Sequence, residues 1–191
     1  MASPDHEVTA GQRLLGAVFL GVWGLVSWAW VSRVESVLSV CGGCSAMQPW
    51  TAAGFGLLGL SLWIARLRPV VAGALVVLGS FVMIEYALQI DLFGFDRWLL
   101  SPWPTAGVVH VGRMSPGTAC SFILAGAAWV LSDRRPQIAV LGLFGCLPTL
   151  VVYIVRGRPS PVVPDATIMA VHTAIAFTLW WSYVLFVTRT R

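Results

Sequence analysis

The sequence predicts an all-α integral membrane protein, with six transmembrane helices arranged as three repeated helical hairpins. Three observations carry that expectation. Of the 191 residues, 58% are hydrophobic and 10% charged, with a mean hydropathy of +0.82; soluble domains average about 25% charged residues. Six apolar stretches approach the length that crosses a bilayer, roughly 20 residues in a helix. Finally, the phrase Met-x-x-x-Thr-Ala-x-x-Phe opens three of the six. It reads Met47-Gln48-Pro49-Trp50-Thr51-Ala52-Ala53-Gly54-Phe55, then Met114-Ser115-Pro116-Gly117-Thr118-Ala119-Cys120-Ser121-Phe122, then Met169-Ala170-Val171-His172-Thr173-Ala174-Ile175-Ala176-Phe177. A phrase that recurs at element starts marks one structural unit used repeatedly.

The stretches run approximately from Leu14 to Ser32, Met47 to Ala65, Val70 to Ile90, Met114 to Ser132, Ile138 to Val155 and Ile168 to Val187. Lipid offers backbone polar groups no partner, so each is expected as a closed helix. The first is too long for the apolar core of a cleavable signal, and Asp5 and Glu7 make its leading region partly acidic. It therefore reads as a permanent helix. The second and fourth stretches begin with Pro49 and Pro116, which suit a first turn whose N–H groups have no intrahelical partner. Ser115 stands where an N-cap belongs. The third carries Glu85, the one carboxylate well inside any stretch. The sixth opens with the third copy of the phrase, which holds His172 and no proline.

Within each copy, Met and Thr lie four residues apart, as do Thr and Phe, so all three share a helix face. Small residues follow (Ala52, Gly54, Ala119, Ala174, Ala176), and small residues let membrane helices approach closely. A packing seam accounts for the phrase without any ligand.

Six crossings place both termini on one side. The connections Ala65-Arg66-Leu67-Arg68-Pro69 and Ser132-Asp133-Arg134-Arg135-Pro136 share it with Arg13, Arg189 and Arg191. That side collects seven arginines against five (Arg33, Arg97, Arg113, Arg156, Arg158), which favours cytoplasmic termini. The hairpins then span about 13–67, 69–135 and 137–190, each with an outer loop and a return helix that starts with the phrase. Trp30, Trp50, Trp98 and Trp103 lie near stretch ends, as an aromatic belt requires; Trp180 and Trp181 lie deeper.

Few residues carry chemistry. The net charge of +4 comes without any lysine and is dispersed in pairs, so no nucleic-acid partner is expected. Glu85 is costly inside a membrane helix and is expected to face the bundle interior. Gln89, four residues on, is expected to extend it into a polar stripe. Ion pairing of Glu85 with Arg33, Arg97 or Arg113 is the structural alternative to ligand or proton contact. His110 and His172 come from different outer segments and complete the candidate ligand-binding set of Glu85, Gln89, His110 and His172. Cys41-Gly42-Gly43-Cys44 is a C-x-x-C pair on the outer side, where a local disulfide is the natural state. Thiol exchange is its functional alternative, but no thioredoxin-like pattern surrounds it. Two Cys and two His could form a tetrahedral metal site, yet their spacing matches no finger, so no metal is expected. Neither His is placed for haem, and no cofactor is expected. No P-loop, dinucleotide fingerprint, nucleophile elbow or zincin helix occurs, so an enzyme is not expected.

Gly112-Arg113 followed by Met114-Ser-Pro-Gly-Thr-Ala-Cys-Ser-Phe-Ile-Leu-Ala-Gly resembles the multi-helix membrane sensor segments at the N-terminus of bacterial histidine kinases, diguanylate cyclases and PAS-containing signalling proteins. Glu85-Tyr86, Ile90-Asp91-Leu92, Phe95-Asp96-Arg97 and Leu99-Leu100 match the segment that precedes this motif there. The third copy, with His172, resembles the last-helix variant. The likeness runs from about Met47 to Leu185. It implies a sensor in the bacterial cytoplasmic membrane. In those proteins the last helix leads into a kinase, cyclase or PAS unit, whereas this chain stops at Arg191, so a single transmembrane domain over 1–191 without a soluble output domain is expected.

Together these readings predict a stand-alone membrane sensor that detects a small or lipophilic signal, or a membrane state. It would relay its state to a membrane or cytoplasmic protein partner. The competing expectations are a structural or accessory subunit of a larger membrane complex, and a thiol-redox carrier using Cys41 and Cys44.

Overall fold

The structure, a computed structural model, describes residues 8–39, 44–97, 99, 111–156 and 169–189. Helix α1 (Ala10–Ser32) starts from a capping box: Thr9 N–H donates to Gln12 Oε1 (2.8 Å) and Gln12 N–H to Thr9 Oγ1 (3.2 Å). It ends at Arg33, which is left-handed with φ 57°. A short helix α2 (Glu35–Leu38) follows, then α3 (Pro49–Trp63), α4 (Arg68–Leu88), α5 (Pro116–Val130), α6 (Arg135–Arg156) and α7 (Val171–Arg189). Tight 3-10 turns at Ala65–Leu67 and Ser132–Arg134 join α3 to α4 and α5 to α6, and a further 3-10 segment, Leu92–Arg97, follows α4. No strand occurs among the described residues.

The N-terminal signals act as their chemistry requires. Pro49 and Pro116 sit in the first turns of α3 and α5, where a missing N–H costs no helix bond. Ser115 caps α5, its Oγ accepting from Thr118 N–H at 3.3 Å. Several helices end earlier than the apolar runs do. Ile64 and Leu131 leave the helix although they are apolar, because the chain there turns into the 3-10 joints.

Three helical stretches are long and apolar enough to cross a membrane: Ala10–Ser32, Ala65–Leu88 and Ser132–Val155. The apolar helices Pro116–Val130 and Val171–Val187 are shorter. Large apolar side chains cover the outside, including Ile154 (81% exposed), Phe144 (73%) and Val77 (68%). Water would penalise such a surface, whereas hydrocarbon matches it. The chain has the architecture of an all-α membrane protein.

Helix α1 packs on α3, α4 on α5 and α6 on α7. Glycine sets the approach in the first two pairs. A Cβ at Gly59 would lie 2.8 Å from the Gly16 carbonyl oxygen, and one at Gly126 would lie 2.5 Å from that of Ala72. The third pair reverses the arrangement: Trp181 occupies the position equivalent to Gly59 and Gly126, and its indole lies against Gly142 of α6. Bulk on one helix is matched by its absence on the other.

The repeated phrase forms the centre. Met47, Thr51, Ala52 and Phe55 are buried, as are Met114, Thr118, Ala119 and Phe122, and Met169, Thr173, Ala174 and Phe177. The three phenylalanines meet, with ring centroids 5.4 Å (Phe55–Phe122), 4.8 Å (Phe55–Phe177) and 5.0 Å (Phe122–Phe177) apart. Phe19 of α1 adds a fourth ring, 5.4 Å from Phe55. Edge and tilted contacts of this kind add about 0.5–1.5 kcal/mol each beyond burial. The helix starts of α3, α5 and α7 lie at what we term the phrase end of the bundle. The two 3-10 joints lie at the opposite, joint end.

Candidate functional site

The phrase end holds a buried ionic cluster inside an otherwise apolar protein. It is built where α4 stops. Gln89 adopts a left-handed conformation (φ 55°), its N–H bonding to the Glu85 carbonyl, and Ile90 N–H reaches the same oxygen at 3.2 Å. Helix α1 ends in the same way at Arg33, with both capping N–H groups on Ala29. Glu85 therefore stands where the first hairpin places a buried alanine. The added carboxylate organises the segment that follows: its Oε1 accepts from Leu92 N–H at 2.9 Å, at the start of the 3-10 segment.

Arg113, one residue before the second phrase, enters from the other side. Its Nε donates to Asp96 Oδ2 at 2.9 Å and lies 3.4 Å from Glu85 Oε2, while its Nη2 donates to Ile90 O at 2.9 Å. The guanidinium carbon also stands 5.4 Å from the centre of the Tyr86 ring. All three charged residues are buried: Glu85 0%, Asp96 6% and Arg113 5% exposed. Two carboxyl groups thus share one guanidinium, and Glu85 Oε2 accepts no hydrogen bond. Desolvation of such groups costs several kcal/mol apiece and is offset only by good pairing. The cluster joins the end of α4, the 3-10 segment and the start of α5. Next to it, Gln48 at the start of α3 accepts from Gly112 N–H at 2.8 Å and donates to Ala46 O at 3.0 Å, which ties α3 to the same loop.

Carboxylate oxygens of Glu85, Asp91 and Asp96 lie within 4.8 Å of one another. Asp91 is exposed, and Arg113 already supplies a cation to the two buried members.

His172 is separate in character. It lies at the start of α7, beside the backbone of Val37 and Leu38, and neither ring nitrogen has a hydrogen-bond partner although both atoms are buried. Its neighbourhood is otherwise well bonded. Tyr153 Oη donates to Met169 O at 3.2 Å, Trp30 Nε1 to Met47 O at 2.9 Å, and Ser39 Oγ to Cys44 O at 2.8 Å. An imidazole carries one donor and one acceptor when neutral, so His172 can offer both to a small molecule.

Of the residues expected to form a site, Glu85 is buried and His172 half-buried at the phrase end. Gln89 departs from expectation. The helix stops at Leu88, so the four-residue spacing no longer places Gln89 on the face of Glu85; its side chain is exposed and donates to Tyr86 O at 2.7 Å. The polar stripe is therefore replaced by the ion pair to Arg113. Arg33 ends α1 exposed. Cys44 is buried and disulfide-bonded, whereas Cys120 and Cys146 are free. Cys41 and His110 lie outside the described residues. Sequence reasoning named Arg113 as one of three partners but missed Asp96 in the cluster and Gln48 beside it. A charged residue directly after the apolar run Leu92-Phe93-Gly94-Phe95 was the available signal for Asp96.

No protein-family model, curated protein or solved structure matches this chain.

Proposed function

We propose that this chain is a multi-pass sensory unit of a bacterial cytoplasmic membrane. It crosses six times as three hairpins, α1–α3, α4–α5 and α6–α7, with both termini cytoplasmic. The phrase end would detect a small or lipophilic signal or a membrane state, and α7 or the joint end would relay it to a protein partner. One observation carries this reading: a buried Glu85–Arg113–Asp96 cluster joins the end of α4, the 3-10 segment and the start of α5. Ionisable groups at membrane depth are expensive and usually functional. A signal that competes for Arg113 would release both Asp96 of the 3-10 segment and Glu85 of α4 from the start of α5 in one event. His172, with both ring nitrogens unpartnered, supplies a polar contact for such a molecule. The resemblance to sensor segments of signalling proteins points the same way.

The test is untargeted mass spectrometry of small molecules that copurify with the protein in lipid nanodiscs. The wild type should retain a compound that His172→Ala and Glu85→Gln variants lose. Identical small-molecule content in all three would overturn the sensory reading.

The rival reading, an accessory subunit of a larger membrane complex, draws on the same cluster, because Glu85 Oε1 and Arg113 already have internal partners. It expects copurification in a fixed-stoichiometry complex that His172→Ala leaves intact. A redox carrier through Cys41 and Cys44 is the weakest alternative; full function of Cys41→Ser in cells would exclude it.

A further inference from the structure

The fourth residue of the repeated phrase differs in each copy: Trp50, Gly117 and His172. Trp50 shows what the position can do. Its Nε1 donates to Phe95 O at 2.9 Å, and its ring stacks on that of Phe95 with centroids 4.1 Å apart. The start of α3 is thereby fastened to the 3-10 segment that follows α4. His172 holds the same position at the start of α7 and lies beside the backbone of Val37 and Leu38, at the end of α2. No hydrogen bond forms there: Nδ1 and Nε2 are both buried, and neither has a partner. The third copy thus replaces a fixed indole bond with a ring that can take up a proton.

The surroundings offer an imidazolium no counter-charge. A charge removed from water needs a partner of opposite sign. Among the described residues, the charged or titratable groups on the elements around the ring are Arg33 at the end of α1, Glu35 in α2 and Tyr153 in α6. Arg33 and Glu35 are exposed, and Tyr153 Oη donates to Met169 O. Cys44, which packs with Tyr153 and Val171, is disulfide-bonded and does not titrate. The groups that act on the ring belong to the main chain of Val37 and Leu38. His172 also stands in the first turn of α7, where the positive end of the helix dipole opposes a cation.

We infer that His172 is an acid-sensitive fastening between α7 and α2. Protonation drives the imidazolium out to water and frees the start of α7 from the Val37–Leu38 backbone. The contact is whole while the ring is neutral and is lost as pH falls. This rests on the placement of His172 and not on the sensory reading, so either can fail without the other.

Hydrogen exchange of the full chain in lipid nanodiscs, between about pH 8 and about pH 5, tests the fastening. The amides to follow are Ser39, Met47 and Ala174, which bond to Glu35 O, Leu38 O and Ala170 O on the two sides of the contact. The released ring titrates at about pH 6.5. After correction for intrinsic exchange, the open fraction should therefore rise below that pH by up to about tenfold per unit, the slope of one proton. His172→Phe fills the place and takes no proton, so its open fraction should not change with pH. Should that variant not fold, the His6→Gln/His110→Gln protein decides, because His172 is the one histidine left in it; ring protonation, read by 15N NMR, and amide release must share a midpoint. A pH-independent open fraction in wild type, an equal acid response in His172→Phe, or ring protonation without release overturns the inference. Tighter protection in acid would mean that the imidazolium donates to the Val37 and Leu38 carbonyls, and also overturns it.

Discussion

Replacing Arg113 with methionine removes the cation that two buried carboxyl groups share. Breaking a buried ion pair by deleting one partner costs about 3–5 kcal/mol, since a charge is left uncompensated. Here Asp96 loses a 2.9 Å contact and Glu85 a 3.4 Å contact, and Ile90 O loses its donor. The loss should therefore fall at the upper part of that range. For a chain of this size it corresponds to a fall in Tm on the order of 10 °C, measurable by thermal unfolding in nanodiscs. The Arg113→Met/Glu85→Gln/Asp96→Asn triple variant has no formal charge left to compensate, and the amide oxygen that replaces the Glu85 carboxylate can still accept from Leu92 N–H. It should recover more than half of the loss. Raising salt should change little, because buried pairs are poorly screened. A loss below about 1 kcal/mol in Arg113→Met, or a triple variant no more stable than the single one, would refute the account of the cluster.

Phe55→Ala, Phe122→Ala and Phe177→Ala should each destabilise by about 3–5 kcal/mol, and pairs of them should be non-additive because the rings touch one another; denaturant titration reads both. Gly126→Ala should destabilise, since its Cβ would meet the Ala72 carbonyl oxygen at 2.5 Å, whereas Gly73→Ala, with open space around it, should be neutral or gain up to about 1 kcal/mol. The comparison needs only thermal unfolding of the two variants. Ser115→Ala should lose about 1 kcal/mol through the N-cap of α5, detectable in the same assay.

The site was legible where it depends on single residues. A carboxylate within an apolar run announces a buried polar group, so Glu85 stood out. Its partner did not, because Arg33, Arg97 and Arg113 are equivalent in a sequence and only the path of the chain after α4 selects one. Gln89 illustrates the opposite limit. Helical spacing holds only while the helix lasts, and one residue in the left-handed region sends Gln89 outward. His172 was visible as a residue, but its two unpartnered nitrogens depend on what α2 brings beside it. At the joint end, the sequence displayed Arg68 and Arg135 only as topology markers. Their meeting on Trp129, with guanidinium carbons 4.9 Å and 5.6 Å from the ring centre, is a tertiary fact.

What the sequence by itself determined is therefore local. Composition required a membrane protein, proline and serine at fixed positions required helix starts, and the four-residue spacing of Met, Thr and Phe required one buried face per copy. Each of these follows from backbone geometry or from transfer between water and hydrocarbon, which act within a turn or on the chain as a whole. Only the tertiary structure decided that the three phenylalanines meet one another, that Trp181 exchanges roles with Gly142, and that Glu85 and Asp96 share Arg113. Those outcomes depend on distances between residues far apart in sequence, and packing alone sets such distances.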